Sequence, residues 1–205
     1  MSKVKRKVIG LAGGIGAGKS MVLDIIKSKY DCLLIDADKI GHMLQMPGCE
    51  PYKDIVKAFG AKVLKEPCVV DVDEIDRRKL GDIVFADESK LLILNQIMHP
   101  AIYDCILEML SSSEKPVIVI EAALLTETSL IELVDEVWYI SCHRDTRIER
   151  LIKHRGYTRE KAINIINNQP SDDAFVKKSQ VVIDNSGSIV DTEKQVIYAL
   201  DKLYM

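Results

Sequence analysis

With 205 residues, of which 47% are hydrophobic and 29% charged, the chain can bury one sizeable core and still carry insertions, which fits a single compact domain. A formal net charge of −3 gives no global basic field, so nucleic acid is not an expected partner, and the basic start Lys3, Lys5, Arg6, Lys7 reads as a solvated tail. The apolar stretch Val8 to Ala12 runs into glycines and Lys19, which excludes a signal-peptide core and a span of roughly 20 apolar residues. No membrane partner is expected and the protein reads as cytoplasmic. Cys32, Cys49, Cys68, Cys105 and Cys142 are scattered without a C-x-x-C pair, so they are expected as reduced, buried small hydrophobes and not as a zinc site or disulfide framework.

The first predicted element is a buried strand, Lys7 to Ala12. It leads into Gly13-Gly14-Ile15-Gly16-Ala17-Gly18-Lys19-Ser20, which satisfies G-x-x-x-x-G-K-S between a strand and a helix over Lys19 to Ser28. Glycines let consecutive backbone N–H groups turn inward on phosphate oxygens, and the helix N-terminus adds positive potential at the same point. Gly14, Ile15, Gly16, Ala17, Gly18, Lys19, Ser20 and Met21 are therefore the expected ATP contacts. Lys19 is placed to reach the β- and γ-phosphates, and Ser20 to offer its hydroxyl to Mg²⁺ shared with those phosphates. A dinucleotide fingerprint is excluded, because Lys19 stands where its last glycine belongs.

A second strand over Cys32 to Asp36 delivers Asp36 and Asp38, which share one side if the extended geometry continues. A carboxylate beside an acceptor hydroxyl can orient it and take its proton, whereas the same acids could simply cap the helix from Lys39. Asp38-Lys39-Ile40-Gly41 matches the D-x-x-G of GTPases, but it follows the loop too closely and no N-K-x-D guanine reader occurs. Helical spacing covers Lys90 to Met98 and Ala101 to Leu110, with Pro100 suited to a first helical position. The strand Val117 to Glu121 has the shape of a Walker B segment that brings an acid near Mg²⁺; Glu121 reads equally as an ordinary strand-end acid.

Beyond the strand Glu136 to Ser141, in which Trp138 reads as core, a helix over Arg144 to Lys153 and the turn at Gly156 crowd Arg144, Arg147, Arg150, Lys153, His154, Arg155 and Arg159. Small kinases close such an arginine-bearing lid over the transferring phosphoryl group; the alternative is a solvated face paired with Asp145, Glu149 and Glu160. A strand over Val181 to Asp184 and a helix over Thr192 to Leu203 complete the chain. The alternation of five strands with helices predicts an α/β fold, a three-layer, doubly wound parallel sheet whose ligands bind beyond the carboxyl ends of its strands.

These motifs, in this order, resemble the dephospho-coenzyme A kinase family over nearly the whole chain. Val8 to Ala12 running into the glycine loop looks like the family's opening, with Ala12 and Met21 where threonine is usual. Asp36-Ala37-Asp38 matches its D-A-D, and Ile75 to Leu80 followed by Val84-Phe85 is similar to its I-D-R-x-x-L…V-F element. His99-Pro100, Ala123 to Glu127, Arg150-Leu151, Thr158 to Gln169 and Val182 to Gly187 match its later segments, with Ala123 for a proline. Where the family has R-D-G, this chain has His154-Arg155-Gly156, and Arg155 can substitute by a shift of one place.

The resemblance implies a single P-loop kinase domain over 1–205, similar to nucleoside-monophosphate kinases, with a helical acceptor-binding insertion at about 40–85 and a lid at about 144–170. It implies transfer of the γ-phosphoryl of ATP to the 3′-hydroxyl of dephospho-coenzyme A, with Mg²⁺. Asp38 becomes the base, with Lys19 and Arg150 catalytic; Asp36, Asp38, Arg77, His99 and Leu124 bind the acceptor; Arg150, Asn185 and Gly187 frame adenine; Arg147, His154 and Arg155 belong to the lid; and Glu121 reaches the metal through water. Two other readings stay open at this point: a kinase for a nucleoside monophosphate or small alcohol, and a nucleotide-binding regulator without catalysis.

Overall fold

The structure is a computed structural model that describes residues 6–65, 73–123 and 125–203; of the residues named above, Lys3, Lys5, Cys68 and Leu124 lie outside these. The chain divides into two compact units, one of Met1–Asp36 with Ser113–Met205 and one of Ala37–Ser112.

The first unit is built on strands β1 (Lys7–Ala12), β2 (Cys32–Asp36), β3 (Val117–Glu121), β4 (Glu136–Ser141) and β5 (Val181–Asp184), at the bounds read from the sequence. Their runs of Val, Ile and Leu suit strands covered on both faces. All pair in parallel in the order β2-β3-β1-β4-β5, so the chain leaves β1 in one direction for β2 and later crosses it for β4. The loop after β1 therefore stands at the point where strand order reverses, where such sheets bind ligands.

Alternate residues on the strands, Ile9, Leu11, Val117, Val119, Trp138 and Ile140, form one core with Val22 and Ile26 of α1 (Lys19–Lys29). Val196 and Leu200 of a C-terminal helix join the same core. Trp138 is fully buried there, as expected of a core residue. On the opposite parity Tyr139 stacks on Phe175, ring centroids 5.1 Å apart. The four described cysteines are free and only Cys142 is buried; Cys32, Cys49 and Cys105 are half-exposed, which corrects the expectation that they are core.

The second unit holds α2 (Ala37–Leu44), α3 (Glu50–Phe59), α4 (Arg77–Phe85) and α5 (Glu88–Ser112) around a core of Ile55, Phe59, Val63, Ile75, Leu80, Val84 and Met98. It reaches to Ser112, well past the 40–85 span expected of a helical insertion. The two helices expected on either side of His99 are one 25-residue helix with Pro100 inside it. Proline removes an N–H and crowds the carbonyl one turn back. Here the packing of Leu91, Leu94, Ile97, Met98 and Ile102 into the core on both sides of it outweighs that loss.

The remaining helices are α6 (Arg144–Arg155), α7 (Arg159–Asn167), α8 (Asp172–Val176) and α9 (Ile189–Lys202). The last starts three residues before the predicted Thr192, because the Ser188 hydroxyl accepts from Asp191 N–H and caps it. From α9, Gln195 accepts from the Asp184 N–H and donates to its carbonyl, both at 2.9 Å, on the edge strand β5.

Asp87 caps α5, accepting from the Ser89 and Lys90 backbone N–H groups. The Ser89 hydroxyl foremost, then Lys90, hold its carboxyl down at about 2 against an ordinary 3.8. A folded pKa below the unfolded one stabilises the fold above the unfolded value and loses that effect as pH falls through the folded value. The stability deficit of Asp87→Ala, from urea melts, should stay constant above about pH 4.5 and shrink as pH falls from 3.8 toward about 2. A deficit independent of pH across that range would contradict this role.

Candidate active site

The turn from β1 into α1 is possible because Gly16 (φ 77°) and Gly18 (φ 90°) take left-handed backbone that side-chain-bearing residues avoid. Ala17 N–H closes on the Gly14 carbonyl at 3.1 Å, and Met21 N–H on that of Gly18 at 3.0 Å. Lys19 Nζ donates to the Gly13 carbonyl at 3.0 Å and stands 3.6 Å from Glu121 Oε1. Glu121 ends β3 and pairs in register with Asp36, which ends β2. One ammonium and two carboxylates thus gather beside the loop, with Ser20 exposed in the first turn of α1.

The loop's carbonyls and outward N–H groups are held by side chains from distant segments. Arg150 donates from Nη1 to the Ala17 carbonyl at 3.2 Å and from Nη2 to the Asn185 carbonyl at 2.9 Å. Its Nη1 also lies 3.4 Å from the Cys142 sulfur, and burial pushes the Cys142 thiol pKa up although Arg150 draws it down. Asn185 is buried; its Nδ2 donates to the Ala17 carbonyl at 2.7 Å, and its Oδ1 accepts from the hydroxyl of buried Thr192 at 3.0 Å. Arg147, only 6% exposed, donates from Nε to the Ile15 carbonyl at 2.9 Å and from Nη2 to Gln169 Oε1 at 2.6 Å. The same Gln169 oxygen accepts from Ile15 N–H at 3.0 Å. Asp172 lies 3.7 Å from Arg147 Nη1 and accepts from the Tyr139 hydroxyl at 2.6 Å; burial first, then that bond, raises the tyrosine pKa.

Several expectations change in consequence. Both amide ends of Asn185 are engaged inside the fold, on the Ala17 carbonyl and the Thr192 hydroxyl, so its side chain holds the loop. Ile15 directs its N–H and C=O to Gln169 and Arg147, and Met21 packs its side chain on the core and closes its N–H on the Gly18 carbonyl. Arg147 is a buried partner of the loop and not an exposed lid arginine. His154 and Arg155 are exposed in the last turn of α6, which Gly156 ends at φ 64°. Gly187 is exposed in the turn before α9.

Asp38, Arg77 and His99 belong to the second unit. Helix α2 begins at Ala37, so the extended geometry does not persist and Asp38 sits, exposed, in the first helical turn. Arg77 opens α4 beside its cap Asp76 and lines a cavity of about 590 Å³ with His42, Lys65, Glu74 and Arg78. His99 is half-buried inside α5; neither it nor Asp38 lines that cavity. Gln169 and Thr192 were missed as site residues, although the Ser188-x-x-Asp191 capping pattern would have put Thr192 inside α9, one turn beyond the cap.

A five-stranded parallel sheet with a phosphate loop at its switch point, a lysine heading the next helix and acids ending the neighbouring strands defines a P-loop kinase. A family model for dephospho-CoA kinase matches residues 7–191. The chain is 38% identical over 198 residues to the dephospho-CoA kinase of Carboxydothermus hydrogenoformans, covering 95% of this chain and 93% of that one. It is 38% identical over 198 residues to the enzyme of Bacillus licheniformis, covering 95% of each. The solved dephospho-CoA kinase from Campylobacter jejuni matches at a TM-score of 0.67 and 25% identity, covering 96% of both chains. The chain belongs to the dephospho-CoA kinase family, ATP-dependent enzymes that phosphorylate the 3′-hydroxyl of dephospho-CoA.

Thr192→Val keeps the shape of the buried side chain but leaves Asn185 Oδ1 without its donor. The loss should cost about 1–3 kcal/mol of stability in denaturant melts; a change within error would show that Thr192 does not hold the amide.

Proposed function

We propose that the chain converts ATP and dephospho-CoA to ADP and coenzyme A in the cytoplasm, with the glycine loop holding the nucleotide phosphates and Asp38 receiving the proton of the ribose 3′-hydroxyl. The observation that carries this reading is the Lys19 ammonium, set between the Gly13 carbonyl and Glu121 at the head of α1. There it can follow the charge that moves onto the β–γ bridge as the phosphoryl group leaves. Free thiols at the described cysteines agree with a reducing compartment.

The donor set suits Mg²⁺. Ser20 offers a hydroxyl, and Glu121 and Asp36 offer carboxylates at adjacent strand ends. No group of three His, Cys, Asp or Glu side chains among the described residues forms a cage. That suits a small hard cation that shares its ligands with phosphates and water. When bound, Mg²⁺ neutralises phosphate charge in the transition state. The residues' own tasks are separate: the loop orients the phosphates, Lys19 stabilises developing charge, and Asp38 orients the acceptor.

The acceptor side is assigned to the 37–112 unit, with Asp38, Arg77 and His99 as contacts, and to Asp36, which shares the D-A-D motif with Asp38. Arg77, Arg78 and His42 around one cavity give that unit guanidinium and imidazole groups for the anionic part of the acceptor. Helices α6 and α7 form the lid segment over 144–170. Arg150 fixes its base, and the exposed pair His154 and Arg155 is left to meet the phosphates.

A panel of dephospho-CoA, AMP, CMP and shikimate with ADP readout tests the acceptor; turnover of only the last three would overturn it. Asp38→Asn removes charge but little volume, so turnover of dephospho-CoA should fall about 10²- to 10⁴-fold while ATP·Mg²⁺ affinity by calorimetry stays near that of the parent. If Asp36→Asn is the more damaging change, the two carboxylates have the opposite roles; if neither matters, the acids serve only as caps. Lys19→Ala should abolish turnover while the chain still folds, and near-normal turnover in that variant would refute the loop's role.

A further inference from the structure

Arg147 is a buried guanidinium with no place in the transfer chemistry, and a buried cation is retained only where it is paired and fully hydrogen-bonded. Besides Asp172, 3.7 Å from Nη1, its partners converge on Ile15 of the phosphate loop, directly and through Gln169. Nε holds the Ile15 carbonyl at 2.9 Å, and Nη2 holds Gln169 Oε1 at 2.6 Å, the oxygen that in turn accepts from Ile15 N–H at 3.0 Å. Both backbone groups of Ile15 are thereby fixed from outside the loop, by α6 and by the segment that follows α7.

A trans peptide is planar, with its C=O and N–H on opposite sides. Holding the Ile15 carbonyl outward therefore turns the Gly16 N–H toward the loop interior. Holding the Ile15 N–H outward turns the Gly14 carbonyl inward, and that carbonyl is the one that receives Ala17 N–H at 3.1 Å. Two consecutive peptide planes are set by one arginine and one glutamine. The fit is close: a Cβ at Gly14 would lie 2.2 Å from Arg147 Nη2, and one at Gly16 would lie 3.0 Å from the Arg147 carbonyl. The apolar side of the same contact seats Ile15 against Ile148, Leu151, Ala162 and Ile166 of α6 and α7.

We infer that Arg147 and Gln169 form a clamp that presets the phosphate loop for nucleotide, which makes both of them positioning residues for ATP. The proposal rests on the loop being the nucleotide site. With the clamp in place, ATP meets donors already aimed; without it, part of the binding free energy goes into ordering the loop. The cost falls on ATP and not on the acceptor.

Calorimetry with ATP·Mg²⁺ and steady-state kinetics with ATP and dephospho-CoA, beside a thermal melt, test the clamp. Gln169→Leu strands the Ile15 N–H and the Arg147 Nη2 donor and should weaken ATP binding and raise its KM about tenfold, with the KM of dephospho-CoA unchanged. Gln169→Glu keeps an oxygen in reach of both donors and should stay within about twofold of the parent. Arg147→Met should follow Gln169→Leu; should it not fold, the glutamine pair decides. Unchanged ATP affinity in Gln169→Leu, whatever its melting temperature, overturns the clamp. A parent chain that binds no ATP overturns the nucleotide site itself.

Discussion

A loop that turns its N–H groups toward one ligand must turn carbonyls away from it, and a carbonyl carried into a protein interior needs a donor. The first unit of this chain is arranged around that requirement. The Ala17 carbonyl takes donors from Arg150 and Asn185, that of Ile15 from Arg147, and that of Gly13 from Lys19. The donors come from positions 19, 147, 150 and 185, so the loop's carbonyls are satisfied by α6 and the turn before α9 as well as by α1. Its geometry is a property of the whole unit and not of the eight-residue motif.

The strands were legible because a buried parallel strand has no competing use for an unbroken run of Val, Ile and Leu. The motif between β1 and α1 was legible for a related reason, since only glycine accommodates the turn. Helix bounds were less so. Pro100 marks a helix start on local grounds, and only the packing of α5 on both sides of it shows why the helix continues. Asp36 and Asp38 read as a strand pair, but Ala37 opens a helix, so Asp38 is no longer part of the strand.

The arginines on α6 show best where sequence reading stops. A run of basic residues with i, i+3 spacing describes a face but not its depth, and Arg147 and Arg155 look alike in one dimension. One is buried against the loop; the other is exposed at the helix end. What separates them is Gln169, some twenty residues away, whose single oxygen joins the loop's amide to the guanidinium. Nothing local marks such a partner. The same holds for Thr192, whose hydroxyl matters only because Asn185 is folded over it.

Gln195 shows how the sheet is finished at one margin. Strand β5 has a neighbour on only one side, and an open row of backbone groups invites pairing with another chain. By accepting from the Asp184 N–H and donating to its carbonyl, the glutamine amide imitates the peptide of a sixth strand at the end of β5 nearest the loop. That end of the border is covered from within by one side chain of α9, so the peptide groups of Asp184 are already engaged before any other molecule approaches.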